Sequence, residues 1–151
     1  MSDAEFNALW ADLVSRAYKT DMQSLSGHER HFYAVNLLRG SVPRSGFIGY
    51  FENSSSSDIA AAREGLRELH LLRVLALFEK AQDIIFKGRT LPEDSSCIYV
   101  FPDSLSEEEY EKESDSMEVE ITPIQREFYK LDAVIWTALG EYADRHQLKP
   151  G

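Results

Sequence analysis

The residues with the strongest chemical character are the carboxylates of one short segment. Between positions 103 and 120 the sequence has nine acidic residues and a single basic one, Lys112. The acidic residues are Asp103, Glu107, Glu108, Glu109, Glu111, Glu113, Asp115, Glu118 and Glu120. This segment supplies −8 of the net charge of −10, and the remainder of the chain has 17 acidic and 15 basic residues. Because a phosphate backbone needs positive charge opposite it, this distribution argues against direct nucleic-acid binding.

Three interpretations of the acidic segment remain open at this point. Carboxylates at short, irregular spacing can imitate backbone phosphates and so attract and block a basic DNA-binding protein. The segment can equally be a solvated, mobile stretch of surface. Divalent-metal binding by Asp103, Glu107, Glu108 and Glu111 is the least favoured, because their spacing lacks the ordered ligand positions of a calcium loop.

The histidines give a weaker metal signal. His28 and His31 lie three residues apart and share a helical face, as two ligands of a metal site could. No third ligand is evident, and histidines are common on the surface of a first helical turn. His70 and His146 are isolated in the sequence, which favours structural roles. We therefore expect no metal site and no cofactor.

No pattern indicates a catalytic nucleophile. Cys97 lies in an apolar run without an adjacent base, which is typical of an inert buried thiol. The serine run from Ser54 to Ser57 lacks a nucleophile elbow and a matched acid–base pair, and it is typical of a loop or helix cap. Gly46 and Gly49 lack the strand and Lys-Ser/Thr context of a phosphate-binding loop. We therefore predict no catalytic residues and a non-enzymatic protein.

The elements that position these residues begin with two capped helices. Ser2 with Glu5, and Ser26 with Glu29, form capping boxes. The first helix carries one apolar stripe of Phe6, Leu9, Trp10, Leu13, Val14 and Ala17. The second is predicted to end near Arg39 with Gly40 at its C-terminal cap. Phe32, Tyr33 and Leu37 should face the core, with Val35 or Leu38 beside them.

Residues 45–54, here called the hub, follow Pro43. The hub is predicted to be a short buried element whose structural residues are Gly46, Phe47, Gly49, Tyr50, Phe51 and Asn53. Its two glycines would allow another element to approach closely, and Phe47 and Phe51 would stack on one face. A core segment is the favoured interpretation, and a ligand-contacting aromatic pocket is the alternative.

The second half of the chain is also predicted to be helical. A helix capped by Ser57 presents Ile59, Ala62, Leu66 and Leu69, and Gly65 within it implies a packing reason. A further helix from about Leu71 to Phe86 should be the most buried, with Gly88 ending it, and periodicity leaves open a break near His70. Residues 97–101 are expected to be extended, packed on helices, with an edge strand as the alternative.

For the acidic segment, Ser104 with Glu107 predicts a short helix over about 105–112, followed by a loop over 113–120. Thr122, Pro123 and Gln125 then predict the start of one long final helix. Its apolar stripe runs from Ile124 to Tyr142, with Arg145 and His146 in its last turn. The fold class is therefore all-α: a single-domain bundle of about six to seven helices over 1–151, with an acidic helix/loop insert at 103–120.

Composition places further bounds on the protein. A chain of 151 residues with 43% hydrophobic residues is large enough to bury a core in one domain. The single cysteine cannot form an internal disulfide, which favours a reducing compartment. Asp3, Glu5 and Asp12 near the start do not suit a secretory signal, and no apolar run is long enough to span a membrane. We expect a soluble, cytoplasmic protein without a membrane partner.

The chain resembles the DNA-mimic protein 19-like family, an all-α bacterial family of largely uncharacterised function. The resemblance rests on three stretches. These are residues Gly46 to Ser54 of the hub, the following helix with Ala62, Leu66 and Leu69, and the closing helix from Phe128-Tyr129 to Tyr142 and His146. It covers about 25–146. The family hub usually begins Asn-Gly-Gly-Phe, whereas this chain has Arg44-Ser45-Gly46-Phe47. The best-understood type in the family is similar to DNA in its surface charge and occupies the DNA-binding face of a transcription regulator. The resemblance therefore implies a DNA-like charged surface for this chain.

Two classes of function follow from these observations. The first is a non-enzymatic interaction protein whose acidic surface over 103–120 engages a basic DNA-binding protein. The second is an enzyme or small-ligand binder with a pocket under the hub, where Asn53, Tyr50 and His31 would converge. The first class predicts a partner rich in Lys and Arg, and the second predicts an open cavity at the hub.

Overall fold

The computed structural model describes residues 1–89, 101 and 104–151, and within them it contains six α-helices and no strand. The helices are α1 (Asp3–Lys19), α2 (Gly27–Glu52), α3 (Ser56–Glu68), α4 (Leu72–Phe86), α5 (Glu107–Tyr129) and α6 (Asp132–Arg145). A short 3₁₀ turn, Met22–Ser24, joins α1 to α2. The predicted all-α class is confirmed. The predicted extended segment at 97–101 lies outside the described residues except for Phe101, as does Cys97.

Helix α2 is the central element, because it packs against α1, α3, α5 and α6, while α4 packs against α3 and α5. Both predicted capping boxes, Ser2 with Glu5 and Ser26 with Glu29, are present. Within α2, Phe32, Val35 and Leu38 are fully buried in the core. Tyr33 and Leu37, which were expected in the core, are only half-buried.

The predicted end of α2 near Arg39 is wrong. The helix continues through Gly40 and Pro43 to Glu52, with a kink at Gly46 (φ 69°, ψ 176°). Proline lacks the N–H that would bond four residues back, yet Pro43 keeps helical conformation and the non-helical residue inside α2 is Gly46. Glycine is required at the kink because this region of backbone conformation is essentially closed to other residues.

The predicted boundaries of α3 and α4 need smaller corrections. Ser55 and not Ser57 caps α3: its hydroxyl accepts from the Asp58 N–H at 3.1 Å. Leu69 ends α3, and His70 (φ 56°) makes the break before α4. Gly65 has the packing role expected of it, because a Cβ there would lie 2.8 Å from Val35 Cγ2 of α2.

The last two helices are divided differently from the prediction. The expected loop over 113–120 is helical, and α5 runs without interruption through Pro123. Thr122 is not a cap; its hydroxyl donates to the Glu118 carbonyl at 2.6 Å. The chain instead breaks at 130–131, so that the expected single final helix is the end of α5 followed by α6. The apolar stripe of α5 already begins at Met117 and Ile121, upstream of Pro123, which explains why the helix does not start there.

Candidate interaction surface on the acidic helix

Helix α5 begins at a well-formed cap. Ser106, and not Ser104, accepts from the Glu109 N–H at 3.2 Å, and the Glu109 carboxylate in turn accepts from the Ser106 N–H. Three glutamates, Glu107, Glu108 and Glu109, occupy the first turn, where negative charge is favoured by the helix dipole. The acidic composition is therefore compatible with helix formation at this end.

One face of α5 fixes the helix to the rest of the protein. Met117, Ile121, Ile124 and Phe128 are buried, and their spacing of three and four residues is that of one helical face. Phe128 meets the hub through Phe47, with ring centroids 5.2 Å apart and nearly perpendicular. The Gln125 side chain accepts from the Phe47 N–H at 3.0 Å, which ties α5 to the kink of α2.

Ion pairs hold the flank of α5 that faces α4. Lys87 Nζ lies 2.7 Å from Glu113, and Arg73 lies 2.8 Å from Glu127. The hydrogen bond from Lys87 lowers the pKa of the Glu113 carboxyl, and Lys130, followed by Arg73, does the same to the pKa of Glu127. These two carboxylates have structural partners, so they belong to the attachment of α5 rather than to its free surface.

The opposite side of α5 carries unpaired negative charge. Five exposed carboxylates, here called the acidic stripe, have no ion-pair partner in the described part of the chain: Glu107, Glu108, Glu111, Asp115 and Glu118. Their spacings of four and seven residues place them along one side of the helix, away from the buried residues. Glu120 is exposed but lies seven residues after Glu113, on the flank that faces α4. Glu109 serves in the cap, and Asp103 lies outside the described residues.

The spacing of the stripe has a quantitative consequence. Since an α-helix rises about 1.5 Å per residue, Glu107 and Glu118 are about 16 Å apart along the axis. One carboxylate therefore occurs about every 3–4 Å, against one phosphate per about 3.4 Å of axis along each strand of B-DNA. The side chains are held on a helix anchored at several points, so this charge density is a property of an ordered surface.

The rings of the hub lie in the core, whereas Ser45, Glu52 and Asn53 are exposed. Phe47 and Phe51 are fully buried and Tyr50 is 2% exposed. Phe51 packs on Phe78 and Phe86 with centroid distances of 5.6 and 5.3 Å. Burial raises the pKa of the Tyr50 phenol, as expected for a hydroxyl excluded from water. The core-segment interpretation is thereby supported.

The two hub glycines play different parts. A Cβ at Gly46 would lie 2.7 Å from Gln125 Oε1, so this glycine does allow α5 to approach. A Cβ at Gly49 would instead meet Ser45 of the same helix at 2.5 Å. The Asn53 amide donates to the Gly49 carbonyl at 2.9 Å, within the hub itself.

A cluster of rings that the sequence did not reveal joins α2 to α6. His28 Nδ1 and His31 Nδ1 lie 2.9 and 3.1 Å from the hydroxyl of Tyr142, which is buried. His146 stacks on His28 with a centroid distance of 3.7 Å. The shared face of His28 and His31 was predictable, but their partners lie more than 110 residues away, where sequence spacing gives no signal.

The cluster's pKa shifts follow from its packing. Burial raises the pKa of Tyr142 to about 12, and burial together with neighbouring His28 lowers the pKa of His146. His31 Nε2 also lies 3.5 Å from Glu64 of α3, and so His31 is not at the hub as the ligand-pocket hypothesis required. Within the described ranges, no three His, Cys, Asp or Glu side chains are arranged to hold a metal ion.

Comparison with protein families gives a match over most of the chain. A family model described as DMP19-like protein matches residues 23–146. No curated protein and no solved structure matches the chain. The matched range contains α2 to α6 and leaves α1 outside it. In the part of the chain that the structure describes, no helix is both long and apolar enough to cross a membrane.

Proposed function

The chain belongs to the DMP19-like protein family, and on that premise we propose that it is a non-enzymatic, cytoplasmic interaction protein. Its acidic stripe on α5 imitates the charge of a nucleic-acid strand and binds a basic DNA-binding protein, such as a transcription regulator. The observation that carries the proposal is the row of unpaired, exposed carboxylates with phosphate-like spacing on an anchored helix.

The electrostatics of the stripe support this role. Five like charges on one helical face repel one another, and each like-charged pair four residues apart costs about 0.2–0.5 kcal/mol of helix stability. The only basic side chain in the segment 103–120 is Lys112. A basic partner would relieve this repulsion, and its approach would be accelerated by the field of the stripe.

An exposed apolar residue adds to the surface. Val119 is 75% exposed and lies one turn after Asp115, beside the stripe. A protein partner has apolar side chains that could cover Val119, whereas a bare polycation does not. The hub rings Phe47, Tyr50 and Phe51, by contrast, are buried and packed on one another, which does not favour the alternative of a ligand pocket there.

Two variants with the same net charge test the proposal. The stripe variant carries Glu108→Gln, Glu111→Gln, Asp115→Asn and Glu118→Gln. The control variant carries Asp3→Asn, Glu52→Gln, Asp83→Asn and Glu141→Gln, all of which are exposed and lie outside α5. Each variant removes four negative charges, and each removes one from the first turn of a helix.

The three proteins are immobilised and exposed to a lysate of the source cell at low salt. We expect the wild type and the control variant to retain the same Lys- and Arg-rich DNA-binding protein, and the stripe variant to lose it. Retention should fall with salt, because the screening length shrinks from about 30 Å at 0.01 M to about 8 Å at 0.15 M. Equal retention by the stripe and control variants, or no basic protein on any of them, would contradict the proposal.

A further inference from the structure

A groove on the side of the molecule formed by α1, α2 and α6 encloses about 430 Å³. That volume falls in the range of about 300–1,000 Å³ that is typical of small-molecule sites. Both tryptophans of the chain line it: Trp10 on α1 and Trp136 on α6. The acidic stripe lies on α5, so the groove is independent of the function proposed above.

The walls of the groove are aromatic and well supported. Trp10 stacks on Tyr33 with a centroid distance of 5.4 Å, and Trp136 stacks on Phe6 at 3.7 Å. Both tryptophans are only half-buried, although each is held by a second ring. Phe6 and Arg39 cover the two faces of Trp136, so Trp136 acts as a wall and the indole of Trp10 supplies the stacking surface. Because Tyr33 holds Trp10 in place, this surface needs no ordering when a flat ligand binds.

The groove has space at its floor. Gly40 lines the groove on α2 and is exposed, and a Cβ at this position would meet no atom within 4 Å. Asn36, which is 7% exposed, also lies along the floor and accepts a hydrogen bond from Arg39 at 3.2 Å. A side chain at position 40 would therefore occupy the groove without disturbing the core.

The charge of the groove selects the class of ligand. Arg39 stacks over Trp136 and is paired with Asp132 at 2.8 Å, so its charge is compensated. Arg44 lines the same groove, is exposed, and has no ion-pair partner among the described residues. In a protein of net charge −10, this free guanidinium beside two indoles is complementary to an aromatic ring that bears an acidic group.

We propose that the groove between Trp10, Trp136 and Arg44 binds a small aromatic anion, such as an aromatic carboxylate or sulfonate. The rings of the ligand stack in the space over Gly40, and its acidic group meets the Arg44 guanidinium. α1 lies outside the range matched by the family model, so this site depends on an element of this chain that the family match does not include.

Two dyes with the same aromatic rings test the proposal. The first is 8-anilinonaphthalene-1-sulfonate, and the second is the uncharged N-phenyl-1-naphthylamine. Both absorb where tryptophan emits, so binding in the groove quenches the emission of Trp10 and Trp136. We expect the sulfonate dye to bind with a stoichiometry of one per chain and to bind more tightly than the uncharged dye.

Three variants locate the binding. Gly40→Leu should abolish quenching by both dyes, with its fold checked by far-ultraviolet circular dichroism. Arg44→Gln should weaken the binding of the sulfonate dye by about three- to fivefold, which is the effect of one exposed charge pair. The affinity for the uncharged dye should not change. Arg126→Gln removes an exposed arginine from α5 and should change the affinity for neither dye.

Several results would overturn the proposal. Undiminished dye binding by a folded Gly40→Leu variant would place the dye elsewhere. Equal effects of Arg44→Gln on the two dyes, or none on either, would refute the selection of anions. The Arg44→Gln comparison does not depend on Gly40→Leu, so the proposal stays testable if the glycine variant fails to fold.

Discussion

The kink at Gly46 makes a sharp prediction about stability. In Gly46→Ala the new Cβ would lie 2.7 Å from Gln125 Oε1, and the residue would be forced to keep φ at 69° with ψ at 176°. The backbone strain costs about 1–3 kcal/mol. If Gln125 moves away, the Phe47 N–H loses its acceptor, which costs about a further 1–3 kcal/mol for a poorly solvated group. We therefore expect a loss of about 2–6 kcal/mol in the free energy of unfolding.

A second glycine of the same helix supplies the control. Gly40 has helical conformation and open space where a Cβ would be placed, so Gly40→Ala should stabilise the protein by about 0.4–1 kcal/mol. Urea unfolding followed by circular dichroism at 222 nm measures both variants on the same scale. The same substitution is thus predicted to have opposite effects six positions apart in one helix.

The contributions of strain and of the lost hydrogen bond can be separated with Gln125→Ala. The single variant should cost about 1–3 kcal/mol, because it leaves the Phe47 N–H without its acceptor. In the double variant with Gly46→Ala the clash is absent, so the two losses should not add fully. This account of the kink would be refuted if the free energy of unfolding of Gly46→Ala equalled that of the wild type or exceeded that of Gly40→Ala.

Three further predictions concern charge. Glu29→Gln should lower the free energy of unfolding in urea by about 1 kcal/mol, because Glu29 accepts hydrogen bonds from both Arg16 and the Ser26 N–H. Arg16 lowers the pKa of the Glu29 carboxyl in the folded state, so the advantage of the wild type should disappear as pH falls below about 4. Burial and His28 lower the pKa of His146 in the folded state, so the unfolded state binds more protons and stability should decline as pH falls from about 7 to 5. His146→Gln should reduce that slope, and an unchanged slope would count against the ring cluster as its source. The stripe variant should unfold at the same or a higher urea concentration than the wild type, because its like-charge repulsion is relieved; a clear loss of stability would show that the stripe is structural.

Local signals in the sequence were sufficient for much of the fold. Capping boxes at Ser2 and Ser26 and apolar stripes placed the helix starts, because caps and periodicity act within a few residues. The hub rings were correctly expected in the core. The family resemblance is confirmed by the match over 23–146.

The errors fall where two local signals competed. Pro43 and Pro123 both indicated boundaries, yet both lie inside helices whose buried faces continue past them. Packing of Ile121 and Ile124 on the same face outweighs one lost backbone hydrogen bond. The break at 130–131 has no glycine or proline to mark it, and Leu131 caps α6 without a side-chain hydrogen bond.

The candidate site was only partly predictable. The acidic composition was plain from the sequence. Which carboxylates remain free, however, depends on Arg73 of α4 and on Lys87, which follows α4, because these two residues pair with Glu127 and Glu113. The groove was missed for a related reason. Trp10 and Val14 were assigned to the core stripe of α1, whereas they lie at its edge, where α6 leaves them partly uncovered.

The central claim is that the stripe competes with nucleic acid for a basic protein. The most direct test mixes the captured DNA-binding protein with a fluorescently labelled DNA duplex. The anisotropy of the duplex is then followed as the wild type, the control variant or the stripe variant of the acidic protein is added. The wild type and the control variant should displace the duplex, less effectively as salt rises, and the stripe variant should not. Equal displacement by all three proteins, or displacement by none, would contradict the claim.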